Sequence, residues 1–232
     1  MLRHRVCELY ATGPDFGGSG SGYRLSDRLV LTAQHVIAPA LAGAGGRVQI
    51  RPVGVSRWLT AHVEWQDADA DAALVMIGDQ NWRPPAGESV LRWGELTGSD
   101  PVPCAAVGFS WAAARPDRMR DTAHVYGQLA PLGQLRQGGL DLDVASASPS
   151  ARAGGSPWAG MSGAGVIADS HLVGVITVDP ARYQNRLVVV PTSRLLAHPR
   201  FRAARCPQHS RTPRPREPTQ SAPSGELSAS RR

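Results

Sequence analysis

The sequence contains no lysine, so all 25 of its basic residues are arginine. It also has only three cysteines, and no apolar run approaches the roughly 20 residues that a membrane-spanning helix needs. An odd number of widely spaced cysteines gives no indication of a disulfide framework. The basic N-terminal residues lack the apolar segment of a signal peptide. We therefore expect a protein of the reducing cytoplasm that has no membrane partner.

A net charge of +6 is usually a first indication of nucleic-acid binding, but here the charge is confined to one end. Eight arginines and only two glutamates follow Pro199, whereas the preceding residues are neutral overall. This last segment is rich in proline and serine and has no periodic apolar residues. We predict a disordered tail over residues 199–232 that is either solvated or docks an acidic partner. We expect no nucleic-acid partner.

Long helical patterns are also scarce, and short β-rich runs separated by Gly, Pro or Asp fill most of the chain. Twelve strands are predicted, in two groups of six on either side of a proline-bearing connector. The first group covers residues 6–12, 20–25, 28–32, 47–53, 59–65 and 72–77. The second group covers residues 102–108, 122–129, 140–145, 165–168, 172–178 and 187–190.

Two groups of six short strands favour an all-β fold of two antiparallel barrels, because closure removes the exposed edges of a sheet. We place the first barrel at about residues 1–78, the connector at 79–101 and the second barrel at about 102–198. A short C-terminal helix is predicted over residues 192–197. The glycine-rich stretch at residues 17–22 precedes a strand rather than a helix, so we interpret it as a loop and not as a phosphate-binding motif.

Three short motifs stand at the edges of predicted strands. TAQH ends in His35, DAAL begins with Asp71, and GMSG has Ser162 between two glycines. This order of His, Asp and Ser, in these contexts, resembles the chymotrypsin/trypsin-like serine peptidases, in particular intracellular bacterial trypsin-like peptidase domains. The resemblance covers roughly residues 6–198. It implies two Greek-key barrels with the active site in the cleft between them.

The same resemblance implies a role for each residue. Ser162 is the expected nucleophile, His35 the base that takes its proton, and Asp71 the acid that orients the imidazole. The backbone N–H groups of Gly160 and Ser162 are expected to bind the oxyanion that forms during acyl transfer. This chemistry requires no metal and no cofactor.

Each assignment has a plainer alternative. His35 could be a buried histidine at the end of a strand, and Ser162 could be a turn serine. Asp71 shares its acidic run with Asp67 and Asp69, which could form a solvated turn or a cation site. The run lacks the Gly and the terminal Glu of a calcium-binding loop, so we do not expect a metal. Asp69 remains the alternative to Asp71.

Substrate preference is less clear from the sequence. By resemblance, Ser156 lies at the base of the primary substrate pocket, and Thr177 lies on the strand that pairs with the substrate backbone. Asp179 falls where a glycine usually keeps the mouth of the pocket open. This acid could attract a basic side chain or could narrow the pocket, and the sequence does not choose between them.

Met161 is a departure from the family pattern. Many secreted members have an aspartate just before the catalytic serine, and it pairs with an amine released by cleavage of the N-terminus. Met161 has no charge with which to hold an ammonium group, and we expect it to pack as apolar filler. We therefore expect any control of activity to come from a partner or substrate that orders residues 147–161.

Two functional hypotheses follow. The first is a serine endopeptidase that acts on a limited set of protein or peptide substrates through an acyl-enzyme intermediate. The second is a peptidase-fold module that binds peptides without cleaving them. Because all three catalytic residue types are present, the sequence favours the enzyme.

Overall fold

Two closed antiparallel barrels of six strands each make up most of the computed structural model. The structure describes residues 3–85, 90–115, 119–146, 156–178 and 185–205. Strands follow the order β1-β2-β3-β6-β5-β4 in barrel one and β10-β11-β12-β9-β8-β7 in barrel two. The strands of barrel one are β1 (Val6–Thr12), β2 (Gly17–Arg24), β3 (Leu29–Thr32), β4 (Arg47–Pro52), β5 (Leu59–Asp67) and β6 (Ala72–Ile77). Those of barrel two are β7 (Val102–Gly108), β8 (Ala123–Ala130), β9 (Leu140–Val144), β10 (Gly165–Ala168), β11 (His171–Val178) and β12 (Arg186–Pro191).

The predicted all-β double barrel is therefore confirmed, and most strand bounds agree within one or two residues. The described residues also form the helices α1 (Gln34–Leu41), α2 (Thr192–Ala197) and α3 (Pro199–Arg205). Short 3-10 turns lie at Arg3–Arg5 and Trp111–Ala113. The bounds of α2 match the predicted C-terminal helix, whereas α1 and α3 were not predicted.

Helix α1 corrects the predicted environment of His35. The sequence placed this residue at the end of an apolar strand, but β3 ends at Thr32 and His35 lies in the first turn of α1. The apolar residues that follow, Val36 and Ile37, are buried against barrel one. Their burial holds the helix on the barrel and leaves His35 at its exposed start.

The glycine-rich stretch forms most of strand β2, so its interpretation as a loop was wrong. Its glycines are needed because other groups approach the strand closely. A Cβ atom at Gly20 would lie 2.6 Å from Cγ2 of Val36 and 2.8 Å from the carbonyl oxygen of Ser162. At Gly20, strand β2 thus contacts both α1 and the backbone of Ser162.

Each barrel encloses its own apolar core, and a third apolar cluster joins the two barrels. Tyr23 and Leu31 of barrel one meet Leu172 and Val175 of barrel two in this cluster. Since burial of apolar side chains is the main stabilising term in folding, this shared cluster fixes the barrels against each other. The residues that meet at this junction are therefore held in a fixed relative position.

Helix α3 corrects the predicted start of the disordered tail. Residues 199–205 are helical, and Phe201 is fully buried. Its ring centroid lies 5.1 Å from that of Trp65 on β5 and 6.1 Å from that of Trp93 in the connector. One large aromatic side chain is enough to dock an otherwise polar segment. The rest of the predicted tail lies outside the described residues, and none of the described helices is long and apolar enough to cross a membrane.

Candidate active site

His35 and Asp71 are in direct contact through two hydrogen bonds. The ring Nδ1 of His35 lies 2.8 Å from Oδ2 of Asp71, and the backbone N–H of His35 donates to Oδ1 at 2.9 Å. In a neutral imidazole, this contact favours the tautomer that carries its proton on Nδ1 and leaves the lone pair of Nε2 free. The His35 side chain is 48% exposed and that of Asp71 only 24%. The imidazole is therefore oriented by a sheltered carboxylate and presents a basic nitrogen outward.

The three aspartates of the acidic run, Asp67, Asp69 and Asp71, make different contacts. Oδ1 of Asp67 accepts the backbone N–H groups of Asp69 and Ala70, which forms a tight turn. Asp71 follows the turn with φ of 45°, a left-handed conformation that Asp adopts more readily than most residues. The turn directs Asp71 toward His35, whereas the carbonyl of Asp69 accepts from Arg194 of α2. Of the two candidate acids, the structure places Asp71 against the histidine.

Ser162 lies in a turn of barrel two that is joined to barrel one through its backbone. The N–H of Ser21 on β2 donates to the carbonyl of Ser162 at 2.7 Å. The N–H of Gly163 donates to the carbonyl of Ile176 on β11, also at 2.7 Å. A Cβ atom at Gly163 would lie 1.9 Å from the carbonyl oxygen of Ser21, so only glycine fits there. Ser162 is thus held at the junction of the barrels, beside the strand that supports α1.

The hydroxyl of Ser162 is hydrogen-bonded to a backbone carbonyl in this structure. It donates to the backbone carbonyl of Thr177 at 3.0 Å. Within the described residues, no hydrogen bond joins it to His35. The structure therefore pairs His35 with Asp71 but leaves Ser162 on a different acceptor.

Two backbone N–H groups beside Ser162 have no acceptor among the described residues. The amides of Met161, Gly163 and Ala164 all donate to backbone carbonyls. Those of Gly160 and Ser162 do not. Gly160 has φ of 92°, a conformation that favours glycine. Unsatisfied amides at a buried turn are uncommon, and they are what an oxyanion site requires.

Groups that the sequence analysis did not single out hold this turn in place. The hydroxyl of Ser21 donates to the carbonyl of Gly160 at 2.7 Å and accepts the N–H of Phe109 at 2.8 Å. The N–H of Trp111 donates to the carbonyl of Ala159 at 2.8 Å. No local pattern connects residues that are up to 139 positions apart, so the sequence carried no signal for them.

The residues expected to form the substrate pocket are only partly described. Thr177 is buried, and its carbonyl is the acceptor of the Ser162 hydroxyl. Ser156 is half-buried, and its hydroxyl oxygen accepts the N–H of Trp158 at 3.0 Å. Asp179 lies outside the described residues. The pocket assignment of these three residues therefore stays a prediction.

Met161 is fully buried in the core of barrel two, as expected for an apolar residue at this position.

Burial raises the pKa of both Cys7 and Cys104 to about 12, because an apolar environment disfavours the thiolate. Neither thiol is therefore ionised near neutral pH. Ser162 remains the nucleophile candidate at the junction of the barrels.

No protein-family model matches the chain, and no curated protein matches it. Solved structures do. The serine endoprotease from Yersinia pestis superposes with a TM-score of 0.60 at 18% identity, over 84% of this chain and 61% of that one. A protease from M. tuberculosis in its active form gives 0.61 at 12%, over 84% and 79%. An HtrA-type protease with a tripeptide gives 0.60 at 19%, over 84% and 59%.

The chain has the chymotrypsin/trypsin-like fold. At these identities the likeness shows the fold alone, so the chemistry of this chymotrypsin-like double barrel has to be argued from its own residues. The chain spans about three fifths of the length of the Yersinia pestis and HtrA-type proteases. Its activity, substrates and partners are therefore matters for proposal.

Proposed function

We propose that this protein is a serine endopeptidase that cleaves peptide bonds through Ser162, His35 and Asp71. The observation that carries the proposal is the double contact between His35 and Asp71. It fixes the tautomer in which Nε2 is free to accept a proton, and it lies at the junction where Ser162 is also held. The amides of Gly160 and Ser162, which have no acceptor within the part of the chain that the structure describes, support the same reaction.

In the proposed mechanism, the Ser162 hydroxyl first rotates from the Thr177 carbonyl toward Nε2 of His35. Its oxygen then attacks the substrate carbonyl carbon while Nε2 takes the proton. The resulting oxyanion accepts hydrogen bonds from the amides of Gly160 and Ser162, and Asp71 stabilises the imidazolium. Collapse of this intermediate breaks the C–N bond, and His35 protonates the departing amine.

The acyl-enzyme is then hydrolysed by the reverse sequence of proton transfers. Water attacks the ester carbon as Nε2 of His35 removes its proton. The C–O bond to Ser162 breaks, the serine oxygen regains a proton from His35, and the carboxylic acid leaves. Every atom and proton in the cycle comes from substrate, water and these side chains, so no cofactor is needed.

A second candidate is a peptide-binding module without turnover. It is favoured by one observation, namely that the Ser162 hydroxyl donates to the Thr177 carbonyl and not to His35. If this hydrogen bond persists when a substrate is bound, the serine is not activated. The two candidates differ in the reactivity of Ser162, which is directly measurable.

Labelling by a fluorophosphonate probe distinguishes the two candidates. The probe reacts with a serine only when a nearby base activates it, so we expect the wild-type protein to label. Ser162→Ala and His35→Ala should not label. Ser26→Ala is the matched control, since Ser26 is a half-buried serine whose hydroxyl oxygen accepts the N–H of Leu29 in the turn between β2 and β3. Equal labelling of wild type and Ser162→Ala would refute the assignment, and no labelling of a folded wild type would favour the binding module.

A further inference from the structure

A buried ion pair connects the two barrels beside the turn that carries Gly160 and Ser162, which we call the oxyanion turn. Glu8 lies on β1 of barrel one, and Arg120 lies between β7 and β8 of barrel two. Nε of Arg120 donates to Oε1 of Glu8 at 2.7 Å, and both side chains are at least 95% buried. Charged groups are seldom buried this deeply unless they are paired, so the contact is a specific feature of the fold.

The arginine of this inter-barrel ion pair also reaches the oxyanion turn. Nη1 of Arg120 donates to the carbonyl of Phe109 at 3.1 Å. A Cβ atom at Gly160 would lie 2.3 Å from that carbonyl oxygen and 2.9 Å from Nη1 itself. The guanidinium and the Phe109 carbonyl therefore form the surface against which Gly160 rests.

The Phe109 backbone is tied to Gly160 from its other side as well. Its N–H donates to the Ser21 hydroxyl, which in turn donates to the carbonyl of Gly160. Arg120 further stacks over the ring of Trp111 at 4.9 Å, and the N–H of Trp111 donates to Ala159. The carbonyls of Ala159 and Gly160 flank the Gly160 amide, and both are hydrogen-bonded to groups that Arg120 holds in place. A displacement of Arg120 would therefore move both carbonyls.

A second arginine supplies a natural comparison. Arg51 on β4 also binds Glu8, with its Nε donating to Oε2 at 3.0 Å. Its guanidinium stacks on Trp58 at 4.6 Å, within barrel one. Arg51 thus shares the carboxylate with Arg120, but among the described residues it makes no hydrogen bond to Phe109 or to the turn.

We propose that Glu8 and Arg120 position the oxyanion turn, so that Arg120 is a positioning residue for the reaction and acts through Phe109 and Gly160. This proposal rests on the proposed function, because it assigns a role within that reaction. The buried apolar Met161 leaves the residue before Ser162 unable to form an ion pair. The inter-barrel ion pair gives the turn a charged anchor on the side of Gly160 instead.

The kinetic test uses a fluorophosphonate probe and separates its binding constant from the rate constant of phosphonylation. For Arg120→Met we expect the rate constant to fall about 10- to 100-fold, since loss of a whole oxyanion donor costs on the order of 10²–10³. The binding constant should change less than about threefold, because the probe still reaches an intact cleft. Arg51→Met, which removes the other partner of Glu8, should keep the rate constant within about threefold.

Amide hydrogen exchange tests the same proposal without relying on activity. In Arg120→Met we expect faster exchange in residues 157–164 and unchanged exchange in strands β4 and β5. If Arg120→Met does not fold, Arg120→Lys carries the test. It keeps the positive charge beside Glu8 but does not reproduce donation from two nitrogens of a rigid fork. It should show the same local rise in exchange.

Three results would overturn the proposal: an unchanged phosphonylation rate in Arg120→Met, an equal fall in Arg51→Met, or a rise in exchange spread evenly over barrel two. The last two would show that the ion pair serves stability alone. If the wild type does not label at all, the proposed function fails. The exchange comparison between Arg120→Met and Arg51→Met then still decides whether Arg120 positions the turn.

Discussion

The two halves of the candidate site are held in different ways. In barrel one, His35 and Asp71 are joined by two hydrogen bonds between neighbouring elements of the same barrel. In barrel two, the turn that carries Ser162 is held by hydrogen bonds to groups of both barrels. The Ser162 hydroxyl donates to the Thr177 carbonyl. In the proposed mechanism, the base is therefore in place before substrate arrives, whereas the nucleophile first has to leave the Thr177 carbonyl.

This contrast predicts how substitutions in each half of the site should affect its reactivity. A substitution in the first half removes one function from a preformed pair. A substitution in the second half disturbs a turn on which nucleophile and oxyanion amides both depend. The following changes are ordered from the largest expected effect to the smallest.

Replacement of Asp71 by Asn breaks the preformed half. The amide keeps the shape of the carboxylate, and Asn tolerates the left-handed backbone at this position. Its NH₂ group does not accept the Nδ1 proton, so His35 adopts the other tautomer. We expect turnover of a peptide substrate to fall by about 10⁴ at neutral pH, because the imidazole is held in the wrong tautomer, with an unchanged melting temperature. Asp69→Asn is the control, and a comparable loss there would reverse the choice of acid.

Replacement of Gly163 by Ala breaks the other half. The new methyl group would overlap the Ser21 carbonyl, and the backbone φ of 91° is itself unfavourable for alanine. We expect fluorophosphonate labelling to slow by at least about 100-fold, because the oxyanion amides and the serine move together. Gly45→Ala provides a matched control with φ of 85° and no atom within 4 Å of the new methyl group. Similar losses in both variants would mean that backbone strain alone, and not the contact with Ser21, explains the effect.

Replacement of Phe201 by Ala tests the support on which both halves rest. Truncation of a fully buried aromatic side chain typically costs about 3–5 kcal/mol. For a domain of this size we expect the melting temperature to fall by about 10 °C in calorimetry. The His35–Asp71 pair should keep its geometry below the transition. A change of less than about 2 °C would show that α3 contributes little to the fold.

Deletion of residues 207–232 should have the smallest effect. The barrels and all three described helices end by Arg205. We expect the free energy of unfolding and the labelling rate to remain within about 0.5 kcal/mol and twofold of the intact chain. A marked loss in either measurement would show that this segment packs on the domain.

The strands were predictable because their signals are local. Apolar runs bounded by Gly, Pro or Asp gave β1, β6, β7 and β10 at their observed bounds. Helix α1 was missed because it is only eight residues long and contains Pro39. The start of strand β2 was placed three residues late because its glycines, which by propensity indicate a loop, make close contacts with α1 and the turn that carries Ser162.

The contact between His35 and Asp71 was predictable from the sequence, but the hydrogen bond of the Ser162 hydroxyl was not. The contexts of His35, Asp71 and Ser162 are local, and the structure brings the first two together. The acceptor of the Ser162 hydroxyl depends on a side-chain rotation that no sequence pattern encodes. Glu8 and Arg120 are 112 positions apart, and a single charged residue in a strand is normally read as exposed.

The packing of Phe201 on Trp65 has a consequence for synthesis of the protein. Trp65 is translated with barrel one, whereas Phe201, which packs on it, is translated more than a hundred residues later. At 5–20 residues per second, this aromatic surface stays open for on the order of ten seconds on every ribosome. Nascent chains that stall in this interval present an uncovered tryptophan to chaperones and proteases. Any factor that recognises the exposed Trp65 ring therefore has to act before α3 has packed on barrel one.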